Sequence, residues 1–176
     1  MAHSGRLTQS HTQAYTVPPW RKMSGGRRRR KGGTQVKRTS LGQGALVSAA
    51  AFTAVGGFLA DWNRTHLFNS HWPPHAKFHD AQSILLGSLL GASGLYFLRR
   101  RSKYSERNLS LGALLPSFFW FSQGASFAFP GAEGLEAEFP EKVPRVKGVW
   151  VNERFASALM LALIAIGYAA ERSRTP

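Results

Sequence analysis

Four of the six histidines of this 176-residue chain lie between Asp61 and Asp80. They sit in the stretch Asp61-Trp62-Asn63-Arg64-Thr65-His66 and its continuation His71-Trp72-Pro73-Pro74-His75-Ala76-Lys77-Phe78-His79-Asp80. Imidazoles close to carboxylates support proton transfer, because an imidazole titrates near neutral pH and a neighbouring carboxylate orients it and stabilises its charged form. His75 and His79, oriented by Asp61, are on this reading the candidate catalytic residues. The same groups also support metal ligation. A His-x3-His pair on a helix presents two nitrogens to one ion, so His75 and His79, with His71, are candidate ligands. Asp61, His66 or Glu153 would complete a nitrogen and oxygen set suited to zinc, iron or copper. A third reading is purely structural: His, Asp, Asn and Gln pair with one another and hold a loop, since polar groups at the edge of an apolar medium need partners.

Pro73 and Pro74 suit a helix start, where a proline gives up an N–H that has no intrahelical partner. A helix starting there places His75, His79 and Gln82 at i, i+4 and i+7, on one face. That face is expected to meet the interior of a helical bundle beside Asp61. His66, Trp72, Gln82, Gln123, Asn152 and Glu153 are the further candidates for contact with a ligand. No Gly-x-Ser-x-Gly, phosphate-binding loop or dinucleotide fingerprint is present, and no cofactor is strongly implied. Asn63-Arg64-Thr65 is a glycosylation sequon, placed close to a membrane exit.

Four uncharged runs position these residues: about 41–60, 81–98, 109–130 and 155–170. Each approaches the roughly 30 Å of hydrocarbon that a helix of about 20 residues covers. None has the polar face that a soluble helix shows at helical period. The fold class expected is all-α, a four-helix transmembrane bundle over 41–172 with a disordered basic N-terminal tail (1–40) and a short C-terminal tail (173–176). Gly87, Gly91 and Gly94 in the second run, and Thr53 and Gly57 in the first, are spaced for close backbone approach. The bulky third run holds Pro116 and a series of aromatics that reads as lipid-facing or core-filling rather than as a cofactor box. The segment 130–148, with three prolines and four glutamates, reads as a flexible cap.

The chain carries 23 Lys and Arg against 9 Asp and Glu, a net charge of +14, which on its own suggests a nucleic-acid binder. Ten of the basic residues fall in 1–40, where there is no acid. Ahead of a membrane span such a tail serves topology and attraction to anionic lipid, so no specific nucleic-acid partner is expected. The loop after the second run and the C-terminus are also net positive, and the positive-inside rule puts both termini on the cytoplasmic side of a multi-pass integral membrane protein. The absence of cysteine excludes disulfides and thiolate chemistry.

Asp61-Trp62-Asn63, Thr65-His66, Phe68-Asn69 and Trp72-Pro73-Pro74-His75-Ala76-Lys77-Phe78-His79 resemble the defining segment of a small four-span integral membrane family, a domain of unknown function. Ser70 departs from it, standing where a proline is expected. The resemblance implies the topology and no activity. Two classes of function stay open: binding or transformation of a small apolar molecule at the bundle mouth, and a non-catalytic membrane binding or assembly subunit in which the His and Asp cluster is structural.

Overall fold

The computed structural model describes residues 40–100 and 105–174. The expected tail over 1–40 therefore lies outside the described residues, apart from Ser40. Four long helices dominate: α1 (Leu41–Asp61), α2 (Pro74–Arg99), α3 (Ser105–Ser126) and α4 (Glu153–Arg172). Between α3 and α4 lie a short helical turn, Leu135–Ala137, and an antiparallel hairpin of β1 (Arg145–Val146) and β2 (Val149–Trp150).

Each helix packs on its two sequence or ring neighbours, α1 with α2 and α4, α3 with α2 and α4, so the four close an antiparallel bundle. Without a hydrophobic driving force between helices in lipid, close packing must supply the cohesion, and small residues make it possible. A Cβ on Gly91 of α2 would lie 2.6 Å from the Ala50 carbonyl oxygen and 2.7 Å from Ala54 Cα of α1. At the same contact Ser88 Oγ reaches across to the Ala54 carbonyl at 2.8 Å. One turn further along the same seam, Gly94 receives Pro116 of α3, so the proline ring is seated in a notch. Gly42 and Gly167 meet at the contact of α1 with α4, 2.9 Å separating a Cβ on the first from the carbonyl oxygen of the second.

The core is formed by Leu46, Ala49, Ala113, Trp120, Met160 and Ile164. Trp120 donates its indole N–H to Thr53 Oγ1 at 2.8 Å, and Thr53 in turn donates to the Ala49 carbonyl at 2.8 Å. The polar tip of the largest core ring is thereby satisfied inside the bundle.

Three helices, α1, α2 and α4, are long and apolar enough to cross a membrane. The third uncharged run is shifted from its expected position: α3 begins at Ser105 and stops at Ser126, short of 130. It thus takes in Glu106, Arg107 and Asn108 and leaves Phe127 and Phe129 in the following turn, which makes it less apolar than the other three.

The segment expected as a flexible cap is instead tied down. Lys147 and Gly148 adopt positive φ (49° and 84°), the pairing a two-residue hairpin turn of matching twist requires. Val143 is buried beneath the segment. Asn152 caps α4 by accepting from the Arg154 and Phe155 amides, and its side-chain amide donates to Glu136 Oε1 at 2.6 Å. Glu153 accepts from the Leu135 amide with both carboxylate oxygens at 3.3 Å.

Candidate functional site

The end of α1 and the loop after it build a directed chain of hydrogen bonds. Asn63 donates its side-chain amide to the Ala60 carbonyl, which fixes its Oδ1 as the inward acceptor. That oxygen accepts from the Thr65 amide at 2.8 Å and lies 2.6 Å from Thr65 Oγ1. The threonine hydroxyl has one proton, and an amide oxygen has none, so Thr65 must donate to Asn63. His66 Nδ1, 2.9 Å from the same hydroxyl, is then the donor to it. This leaves His66 Nε2 facing Asp61 Oδ1 at 3.7 Å. The pair thus sets an acceptor carboxylate opposite the ring nitrogen that the Thr65 contact leaves uncommitted. Trp72 packs edge-on against His66, with centroids 5.7 Å apart and planes at 85°, and fixes the plane of the ring. Asn69, buried, ties the loop back to the Thr65 carbonyl and accepts from the His71 amide.

Asp61 and His66 look into a cavity of about 300 Å³ at this end of the bundle. Its deep walls are Phe52, Phe119 and Trp120, its polar rim is Asp61, His66, Gln123, Asn152 and Glu153, and its roof is Leu135, Val143 and Val151 from the α3–α4 segment. Phe52 stacks on Trp120 (5.9 Å, 9°), and Phe119 meets the same indole edge-on (5.2 Å, 90°). Two of the α3 aromatics thus form cavity wall, while Phe118 and Phe121 face outward. Gln123 is oriented by donating to the Glu153 carbonyl and Ser157 Oγ, both at 3.2 Å. From Thr53 to Asp61 the wall of α1 runs about 12 Å at helical rise.

His75, His79 and Gln82 do share a face, as expected: the two Nε2 atoms are 3.1 Å apart and His79 Nδ1 lies 3.3 Å from Gln82 Oε1. That face is exposed, however, and does not meet the bundle interior. The buried seam of α2 is Ile84, Gly87, Gly91 and Gly94, and at 100° per residue the His75–His79–Gln82 face lies about 130° away from it. His71 is also exposed and stands apart from the pair. Among the described residues no group of three His, Asp or Glu side chains is arranged to hold a metal ion.

Asp80 was not among the expected site residues, although it continues the seam, four residues before Ile84, in the spacing 80, 84, 87, 91, 94. It is partly buried, its charge acts on Asp61 and His66, and its Oδ2 is buried without a hydrogen-bond partner among the described residues. Asn63 and Thr65 were also missed as positioning residues. The signal was present in the Asn-x-Thr spacing, which builds a side-chain turn as readily as a sequon. With both ends of its amide engaged, Asn63 is committed to the loop.

Three helices long and apolar enough to cross a membrane give the bundle the build of a membrane protein, and one mouth of it holds a polar-rimmed, aromatic-walled cavity. The chain belongs to a family of unknown function, DUF6640, whose profile matches residues 45–176. No curated protein and no solved structure matches it.

Proposed function

We propose that the chain is a multi-pass membrane protein in which all four helices cross, and whose mouth cavity binds a small apolar molecule and exchanges a proton with it through Asp61 and His66. The observation that carries this reading is the oriented pair at the rim of an aromatic-walled cavity: a proton held beside an apolar pocket is of use only to something that occupies the pocket. Gln123 supplies a further polar group whose orientation is fixed. Phe52 lines the cavity and is also 48% exposed on the outer surface of α1, which gives a molecule dissolved in the bilayer a way in past one side chain. Arg99, Arg100, Arg172 and Arg174 gather at the other end of the bundle, and with the basic tail they favour that end, and both termini, on the cytoplasmic side.

The test is an untargeted metabolite and lipid comparison of a deletion strain complemented with wild type, Asp61→Asn or His66→Asn. A product restored by wild type and by neither variant, with both variants present in the membrane at normal level, is the result expected. Restoration by His66→Asn overturns the proton-transfer role. The second reading, a non-catalytic binding or assembly subunit, draws on the way Trp72 and Thr65 use His66 to hold the loop. On that reading His66→Asn lowers the amount of folded protein and changes no metabolite at matched abundance.

A further inference from the structure

The electrostatics of the mouth narrow the class of molecule that the cavity accepts, an inference that rests on reading the cavity as a ligand site. Asp61 and Glu153 both stand on its rim, and Glu153 acts repulsively on Asp61. Among the described residues neither carboxylate has a lysine or arginine within ion-pair distance. Lys142, the lysine of the lining, sits with Nζ 5.2 Å from the centroid of the Phe139 ring and has no acid within ion-pair distance among the described residues. A second cleft of about 230 Å³ shares His66, Gln123 and Glu153 with the first and adds Glu133 and Glu138, so the approach from the aqueous side is also acidic. Two more carboxylate oxygens at this end, Asp80 Oδ2 and Glu136 Oε2, are buried with no donor among the described residues. The linings at the mouth carry more carboxylates than lysine or arginine, while the depth below is aromatic.

We infer that the cavity takes an amphiphilic amine: a protonated amino group held between Asp61 and Glu153, and an apolar or aromatic body lying on Phe52, Phe119 and Trp120. Carboxylates at a low-dielectric rim attract a cation and repel an anionic head. The roughly 12 Å between Asp61 and Thr53 sets the length of body that fits below the amine. A fatty acid or phospholipid phosphate is excluded from this end by like charge.

The experiment uses the full chain in nanodiscs of zwitterionic lipid, with empty nanodiscs subtracted, and three probes that differ only in the head: 4-phenylbutylamine, 4-phenylbutanol and 4-phenylbutyrate. Calorimetry is expected to show the amine binding about tenfold more tightly than the alcohol, and the carboxylate not at all. Glu153→Gln and Asp61→Asn each reduce amine affinity several-fold towards that of the alcohol and leave alcohol binding unchanged. If Asp61→Asn does not fold, Glu153→Gln decides. Gly56→Leu fills the cavity, and its Cβ has room, the nearest atom being the Phe52 ring at 3.6 Å. That variant abolishes binding of every probe. If the three probes bind alike, or the carboxylate binds best, or neither carboxylate variant weakens the amine, while Gly56→Leu still abolishes binding, the amine class is overturned and the cavity reading stands. If no probe binds, or Gly56→Leu leaves binding intact, both fall.

Discussion

Thr65 has a single proton to give, and Asn63 takes it, which is why His66 is confined to one tautomer. Thr65→Val therefore does more than remove a contact: it leaves Asn63 Oδ1 with the Thr65 amide alone and frees the imidazole to turn. A stability loss of about 1–3 kcal/mol is expected from the unsatisfied buried groups, seen as a lower unfolding midpoint in detergent. The complementation assay should lose its product with this variant as well. Trp120→Phe is expected to cost about 1–2 kcal/mol by the same measurement, because Thr53 loses its donor while the cavity keeps an aromatic wall. At this scale the sequence was only partly legible. Polar side chains at the ends of apolar runs drew attention to Asp61, His66, Gln123, Asn152 and Glu153, which the fold brings around one cavity. The more conspicuous His75 and His79 face outward, because their mutual spacing is fixed by one helix whereas their direction is fixed by another helix packing on α2. Asp80 could have been found by extending the glycine seam backwards, a relation between a charged residue and a packing stripe rather than between two polar residues.

The helix contacts are set by glycines at heptad-like spacing, and the consequence is position-specific. Gly91→Ala places a methyl group against the backbone of α1, which has no side chain that can yield, so α1 and α2 must separate. A loss of about 1–3 kcal/mol in unfolding free energy is expected. Gly44→Ala, on the same α1 but with nothing within 4 Å of its Cβ, is expected to change stability by less than about 0.5 kcal/mol. Equal effects of the two would show that the seam is not the source of cohesion. The existence of the helices was legible because an uncharged run is a local property. The ends of α3 were not, since whether Glu106 and Arg107 continue a helix or belong to a loop depends on what lies beyond them. Nor was the order of the α3–α4 segment: its prolines and glutamates look like linker composition, while the side chains that tie it, Asn152 and Glu153, belong to the next helix.

For the whole molecule, the asymmetry of charge makes a prediction about sidedness. The chain has no cysteine, so a single introduced thiol reports without interference. Glu141→Cys and Arg100→Cys lie at opposite ends of the bundle, as do Glu141→Cys and Ser173→Cys, and all three positions are exposed. An impermeant maleimide added to sealed cells is expected to label Glu141→Cys and to leave the other two unlabelled until the membrane is opened. Labelling of Arg100→Cys and Glu141→Cys from the same side would mean that α3 does not cross. The expected orientation rests on the basic residues alone and needs no knowledge of the fold. The acidity of the opposite mouth could not, because Asp61, Asp80, Glu136 and Glu153 are dispersed over 93 positions and only the bundle gathers them.

Asn152 ties the roof of the cavity to the first turn of α4 with one side chain. Its oxygen holds the Arg154 and Phe155 amides, and its nitrogen holds Glu136. Lifting the roof by turning this side chain away frays the helix, at a cost of about 1 kcal/mol for the lost cap. On the proposed function, a molecule entering from the aqueous face has to wait for that local unwinding. Deuterium uptake at the amides of Arg154 and Phe155 would then count roof openings, slowing when the cavity is filled and rising in Asn152→Ala.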